Sequence, residues 1–179
     1  GSLHFSASSG NKSYSGNGAS TLKIRGDLYI GSGATLTSTL TSDIQISGNL
    51  KVEGNLNLNP TTPGTSNRSL ILSGNPSKIS GSGQFNMNTH FRNIMLPSGA
   101  EYTLERSIHL PNSVNGMTIQ EGAKFHPAEN AVSGEGTFTL EPGASIFLEN
   151  LNGITENVST VHTLFSPEAN YHFISDHDQ

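Results

Sequence analysis

The sequence predicts an all-β chain wound as a right-handed parallel β-helix, a β-solenoid of roughly eight or nine short coils. Three observations predict it. Apolar pairs spaced by two residues recur along the chain, a Gly-Ala-x-apolar signature recurs at a nearly fixed interval, and the composition leaves material only for a thin core. Ser, Thr, Asn and Gly make up 79 of the 179 residues, while hydrophobic residues reach 32% and charged residues 13%. These four types are poor or indifferent helix formers. A β-sandwich is the alternative, since it too is built from many short strands with frequent turns.

The apolar pairs, in order, are Leu22 and Ile24, Leu28 and Ile30, Ile44 and Ile46, Leu50 and Val52, Leu56 and Leu58. They continue with Leu70 and Leu72, Phe85 and Met87, Ile94 and Leu96, Ile108 and Leu110, Met117 and Ile119, Phe138 and Leu140, Ile146 and Leu148. A spacing of two puts both side chains on one face of a short strand and the residue between them on the other. Glycine follows most pairs, as at Gly48 and Gly54. The Gly-Ala signature falls at Gly33-Ala34, Gly99-Ala100, Gly122-Ala123 and Gly143-Ala144, where glycine supplies positive φ and alanine fits inside a tight corner. An interval near 20 residues is one solenoid coil, and at about 4.8 Å per coil the chain makes a rod on the order of 40 Å long. Gly1-Ser2 reads as a cloning remnant, residues 1–20 as a Ser/Gly/Asn-rich lead-in or first coil, and 21–179 as one solenoid domain expected to belong to a longer chain.

The net charge of −5, with nine Lys and Arg spread singly, gives no electrostatic basis for nucleic-acid binding. No apolar run is long enough to span a membrane, so direct insertion is not expected. The absence of cysteine excludes disulfides and thiolate metal sites.

The stretch from Gly134, reading Gly-Glu-Gly-Thr-Phe-Thr-Leu-Glu-Pro-Gly-Ala-Ser-Ile, leads to Asn152-Gly153-Ile154-Thr155 and then Ala169-Asn170-Tyr171-His172-Phe173. It resembles a repeat of large secreted surface proteins of Bacteroidetes bacteria, adhesin-like and commonly exported by the type IX route. The resemblance covers about 45 C-terminal residues and implies a secreted or cell-surface location. It implies neighbouring repeats of the parent chain as partners and no catalytic residues.

Polysaccharide lyases and hydrolases share this scaffold, and they need several carboxylates on adjacent coils beside a base or a calcium ion. The four Asp are Asp27, Asp43, Asp176 and Asp178, and neither Asp27 nor Asp43 has a basic partner at a matching sequence position. Glu101 with Glu121, and Glu135 with Glu141, read as outward, solvated carboxylates. The seven histidines show no ligand spacing outside the Asp176-His177-Asp178 run, which reads as a polar end. Ser20-Thr21-Leu22-Lys23 matches a Ser-x-x-Lys pattern that so serine-rich a chain contains by chance. Thr35, Thr37, Thr39 and Thr41 alternate as an ice-binding face would, but the array does not recur coil by coil.

Tyr29, Tyr102, Tyr171 and Phe147 are the exposed aromatic candidates. Tyr29 and Phe147 fall between inward pairs and face out, where a ring can stack on a sugar. The expectation is a non-enzymatic structural or adhesive segment of a bacterial surface protein, without cofactor, acting as a stiff stalk or platform that meets a surface glycan or an environmental polymer. The alternatives are a polysaccharide-active β-helix enzyme and a module binding glycan, ice or calcium.

Overall fold

The computed structural model describes residues 1–7, 11–14, 21–38, 42–58, 68–149 and 153–174. The chain is a β-solenoid of stacked parallel strands with about six turns, fewer than the eight or nine expected. The shortfall has a simple cause. Hydrogen-bonded partners in neighbouring coils stand as much as 29 residues apart, because corners of different length separate equally short strands. Parallel pairing also disposes of the sandwich, whose sheets are antiparallel.

One sheet of eight strands runs the length of the rod: β1 (Leu3–Phe5), β4 (Leu28–Ile30), β7 (Leu50–Val52), β10 (Ser77–Ser80), β13 (Glu101–Leu104), β16 (Lys124–His126), β18 (Ser145–Leu148) and β20 (Asn170–Phe173). A second stacks β2 (Asn11–Tyr14), β5 (Thr35–Ser38), β8 (Asn55–Leu58) and β11 (Gln84–Met87). The third holds β3 (Leu22–Ile24), β6 (Ile44–Ile46), β9 (Arg68–Leu72), β12 (Phe91–Leu96), β15 (Gly116–Ile119) and the long β17 (Val132–Leu140). β14 (Ile108–Leu110) pairs with the first half of β17 and β15 with its second half, so one strand there covers two sides of the coil. β19 (Val158–Phe165) follows on β17, preceded by the single helical turn α1 (Ile154–Asn157). No helix among the described residues is long and apolar enough to cross a membrane.

Strict alternation builds the core. Ile44, Leu70, Ile94, Met117 and Phe138 stand in register through the third sheet, all buried, while the residues beside them turn outward. Each such side chain contributes about 1.5–3 kcal/mol by leaving water. At each of the four Gly-Ala corners the alanine N–H donates to the carbonyl three residues back, as Ala123 does to Gln120 at 2.9 Å. Gly33, Gly99, Gly122 and Gly143 carry φ between +72° and +79°, the third position of a type II turn, and every following alanine is buried. The turns also stack: Gly99 N–H donates to the Gly122 carbonyl, and Gly122 N–H to that of Gly143.

Tyr102 corrects the sequence reading, for it is 0% exposed. It occupies the inward position of β13 in register with Phe125. Its hydroxyl donates to the Gly48 carbonyl at 2.6 Å and accepts the Gly74 N–H at 3.2 Å, tying three coils together at a corner. Burial pushes the phenol up from 10.0 to about 12. The unfolded chain therefore loses this proton at lower pH than the folded one. The stability is fully present below pH ~10 and is lost as pH rises through ~12, a loss of about 3 kcal/mol. Tyr102→Phe is expected to cost about 1–3 kcal/mol at neutral pH, by leaving corner groups unpaired, and to flatten the alkaline fall. Urea unfolding of both proteins at pH ~7 and pH ~11.5 checks the two effects.

Candidate functional site: an outward groove on the first sheet

Where the chain turns into the first sheet, a polar side chain of each coil caps the next. Asp27 N–H donates to Ser2 Oγ at 3.0 Å, and Asp27 Oδ1 accepts from the Asn49 backbone N–H at 2.7 Å and from Asn49 Nδ2 at 3.0 Å. Asn49 Oδ1 in turn accepts the Lys78 N–H at 2.9 Å. Asp43 repeats the device at the third sheet, where its Oδ1 accepts the Ser69 N–H at 2.8 Å. Both aspartates thus hold strand N–H groups in place. Asp27→Ala is expected to lower stability by about 1–2 kcal/mol, while Asp27→Asn, which keeps an acceptor, stays within ~0.5 kcal/mol of the parent. Chemical denaturation of the three proteins checks the order.

This ladder forms one wall of a shallow concavity of about 290 Å³ on the outer side of the first sheet, lined also by His4, Tyr29, Lys51, Lys78 and Ser80. Register fixes the arrangement. His4, Tyr29, Lys51 and Ser80 occupy successive outward positions of β1, β4, β7 and β10. The His4 ring meets Tyr29 edge-on, with centroids 5.6 Å apart at 69°, and Lys51 Nζ lies 5.6 Å from the Tyr29 centroid. Lys51 Nζ also sits 3.4 Å from Glu53, and Lys78 pairs with Glu105. The Ser82 backbone N–H first, then its hydroxyl and Lys51, hold the Glu53 carboxyl below its ordinary range. An aromatic ring with ammonium, amide and hydroxyl groups around it offers stacking and hydrogen bonds to a polyhydroxylated ligand.

Phe147, the other outward aromatic, lies on the same sheet near its far end. Its ring is stacked between two imidazoles, His126 at 4.2 Å and 10° and His172 at 4.3 Å and 7°. Phe147 therefore faces out as expected, but both ring faces are covered, and a sugar cannot lie on either. His126 Nε2 is 3.2 Å from Glu101 Oε1, and Lys124 Nζ is 3.3 Å from Glu101 Oε2. This histidine ladder escaped the sequence reading because the three residues stand 21 and 25 positions apart and only the register joins them.

The remaining candidates lie elsewhere. Glu121 stands on a corner turn apart from Glu101 on β13, and Glu135 and Glu141 flank the second half of β17. Asp27 shares its groove with two lysines, and the Asp43 carboxylate acts on Arg68, so both have basic neighbours that matching by sequence interval missed. Thr35 and Thr37 accept from Asn55 and Asn57 of the next coil, and Asn57 accepts from Asn86, so an amide ladder continues that face. Tyr171 is half-buried, its hydroxyl donating to the Ser166 carbonyl at 2.8 Å. Ser20, Thr39, Thr41 and the Asp176-His177-Asp178 run lie outside the described residues. Among the described residues no three His, Asp or Glu side chains gather as a cation site. No protein-family model, curated protein or solved structure matches the chain.

Proposed function

We propose that the chain is a non-enzymatic structural and adhesive segment of a bacterial cell-surface protein of the Bacteroidetes type. In this reading it is a stiff platform that offers the outer side of its first sheet to a surface glycan or a similar polyhydroxylated polymer. The Tyr29 groove carries the reading. It joins an aromatic ring to Lys51, Lys78, Asn49 and Ser80 on strands that the stacked coils hold rigid, with no mobile element needed to complete it. The carboxylates support the non-enzymatic part. Asp27 and Asp43 are engaged by strand N–H groups, and Glu53 and Glu101 by Ser82, Lys124 and His126.

The test compares the wild-type chain with Tyr29→Ala on a glycan array, followed by titration of whichever glycan is retained. Tyr29 is an outward residue, so the variant is expected to melt within ~2 °C of the parent and to bind about tenfold more weakly, equivalent to 1.4 kcal/mol of lost ring contact. Equal binding by both proteins removes the groove from the account.

A further inference from the structure

We infer, resting on the glycan-binding reading of the first sheet, that its outward groove takes an uncharged glycan, a chain of neutral sugar units lying along the rod axis, and turns away uronate and sulfate polymers.

Two lysines in a groove suggest an anionic ligand, but each has a carboxylate of its own. Lys51 Nζ is 3.4 Å from Glu53, and Lys78 pairs with Glu105. Asp27 adds a third carboxylate to the lining, and its Oδ1 is met by the uncharged backbone and amide N–H groups of Asn49. His4 aside, a ligand there meets two ammonium groups against three carboxylates, on a chain whose net charge is −5. A polyanion gains no long-range attraction from this arrangement and must part each lysine from its carboxylate to bind. A neutral chain disturbs neither pair.

The hydrogen-bonding groups left for a ligand are themselves uncharged. Among the described residues the Tyr29 and Ser80 hydroxyls have no hydrogen-bond partner, and Asn49 Nδ2 uses one of its two N–H groups on Asp27. Hydroxyl and amide groups exchange hydrogen bonds with sugar hydroxyls as they do with water, without breaking an ion pair. Register sets the direction of the chain. His4, Tyr29, Lys51 and Ser80 stand in one line across β1, β4, β7 and β10. Neighbouring strands lie about 4.8 Å apart, so that line extends about 14 Å parallel to the rod axis. Asn49 and Lys78 stand on its flank, joined by the Lys78 N–H to Asn49 Oδ1 bond. A groove of that length on stacked strands meets more than one sugar unit.

The test is an array of neutral gluco-, xylo-, manno- and chito-oligosaccharides beside galacturonate, guluronate and sulfated glycosaminoglycan chains. Calorimetric titration at ~50 and ~500 mM salt follows. The expected result is retention of at least one neutral class, with Kd changing less than about twofold between the two salt concentrations. The hexasaccharide should bind at least about tenfold tighter than the disaccharide, and Tyr29→Ala should weaken both. Glu53→Gln with Glu105→Gln frees both lysines and keeps an acceptor for Ser82. This paired variant should melt like the parent and gain binding of a galacturonate hexamer that falls at least about tenfold over the same salt range. Tightest binding by an anionic glycan, weakened by salt and by Tyr29→Ala, overturns the inference and leaves the groove standing. So does a disaccharide that binds as tightly as the hexasaccharide, or a paired variant that gains no uronate binding. A glycan whose binding Tyr29→Ala leaves unchanged, or an array that retains none, overturns the groove reading itself and this inference with it.

Discussion

Replacing Leu50 by Asp is expected to unfold the rod. Leu50 is fully buried at the start of β7, with Leu28 and Ile79 in register above and below it. A carboxylate there has neither water nor a cationic partner, and an unpaired buried charge costs several kcal/mol, comparable with the ~5–15 kcal/mol that hold a whole domain folded. Ile46→Asp, at the equally buried end of β6, should do the same. Lys51→Asp is the control, since it places the same charge one residue away on the outward side. Circular dichroism melting should show the first two proteins without a cooperative transition at room temperature and the control close to the parent. A cooperative melt of Leu50→Asp within ~2 °C of the parent would mean that β7 is out of register by one residue, which moves every side chain to the other face.

Gly54→Val is expected to be nearly as damaging for a different reason. A Cβ at Gly54 would fall on the backbone carbonyl oxygens of Ala34 and Gly31, groups that cannot swing aside. Those oxygens accept the Asn55 and Ala34 N–H groups at 2.9 and 3.0 Å, so moving them opens the corner and the β5–β8 pairing with it. The expected loss exceeds ~4 kcal/mol. Gly99 separates space from conformation. A Cβ there meets nothing within 4 Å, but φ is +79°, so Gly99→Ala should cost only about 1–2 kcal/mol. Denaturant unfolding of both variants checks the order, and equal costs would place the constraint at Gly54 in dihedral angle rather than contact.

The coils were legible because two local signals coincide at each one. The pairs Leu22 with Ile24 through Ile146 with Leu148 all fall on strands, and the four Gly-Ala corners all adopt the type II turn that glycine at the third position implies. Tyr102 was misread as exposed although a local signal for its burial was present. It fills the apolar slot after Gly99-Ala100, so the signature that found the corner also places the ring inside. Other features have no local signal. Nothing in Ser2, Asp27 and Asn49 individually announces that they cap one another, because their partners lie 22 to 29 residues away and the interval changes from coil to coil. The same variable interval hid the basic neighbours of Asp27 and Asp43. It also hid the two imidazoles stacked on Phe147. The fusion of two sides into β17 was hidden in Gly134-Glu135-Gly136, where the register slips between Gly134 and Thr137.

On the proposed reading the outer side of the first sheet binds a glycan without metal or catalysis, the carboxylates around it being engaged by neighbouring coils. Thermal shift of the purified chain across a panel of glycans, each with calcium and with chelator, tests it most directly. A rise in melting temperature with at least one glycan class, unchanged by removing calcium, is the expected result. Stabilisation that appears only with calcium, or none across the panel, would contradict it.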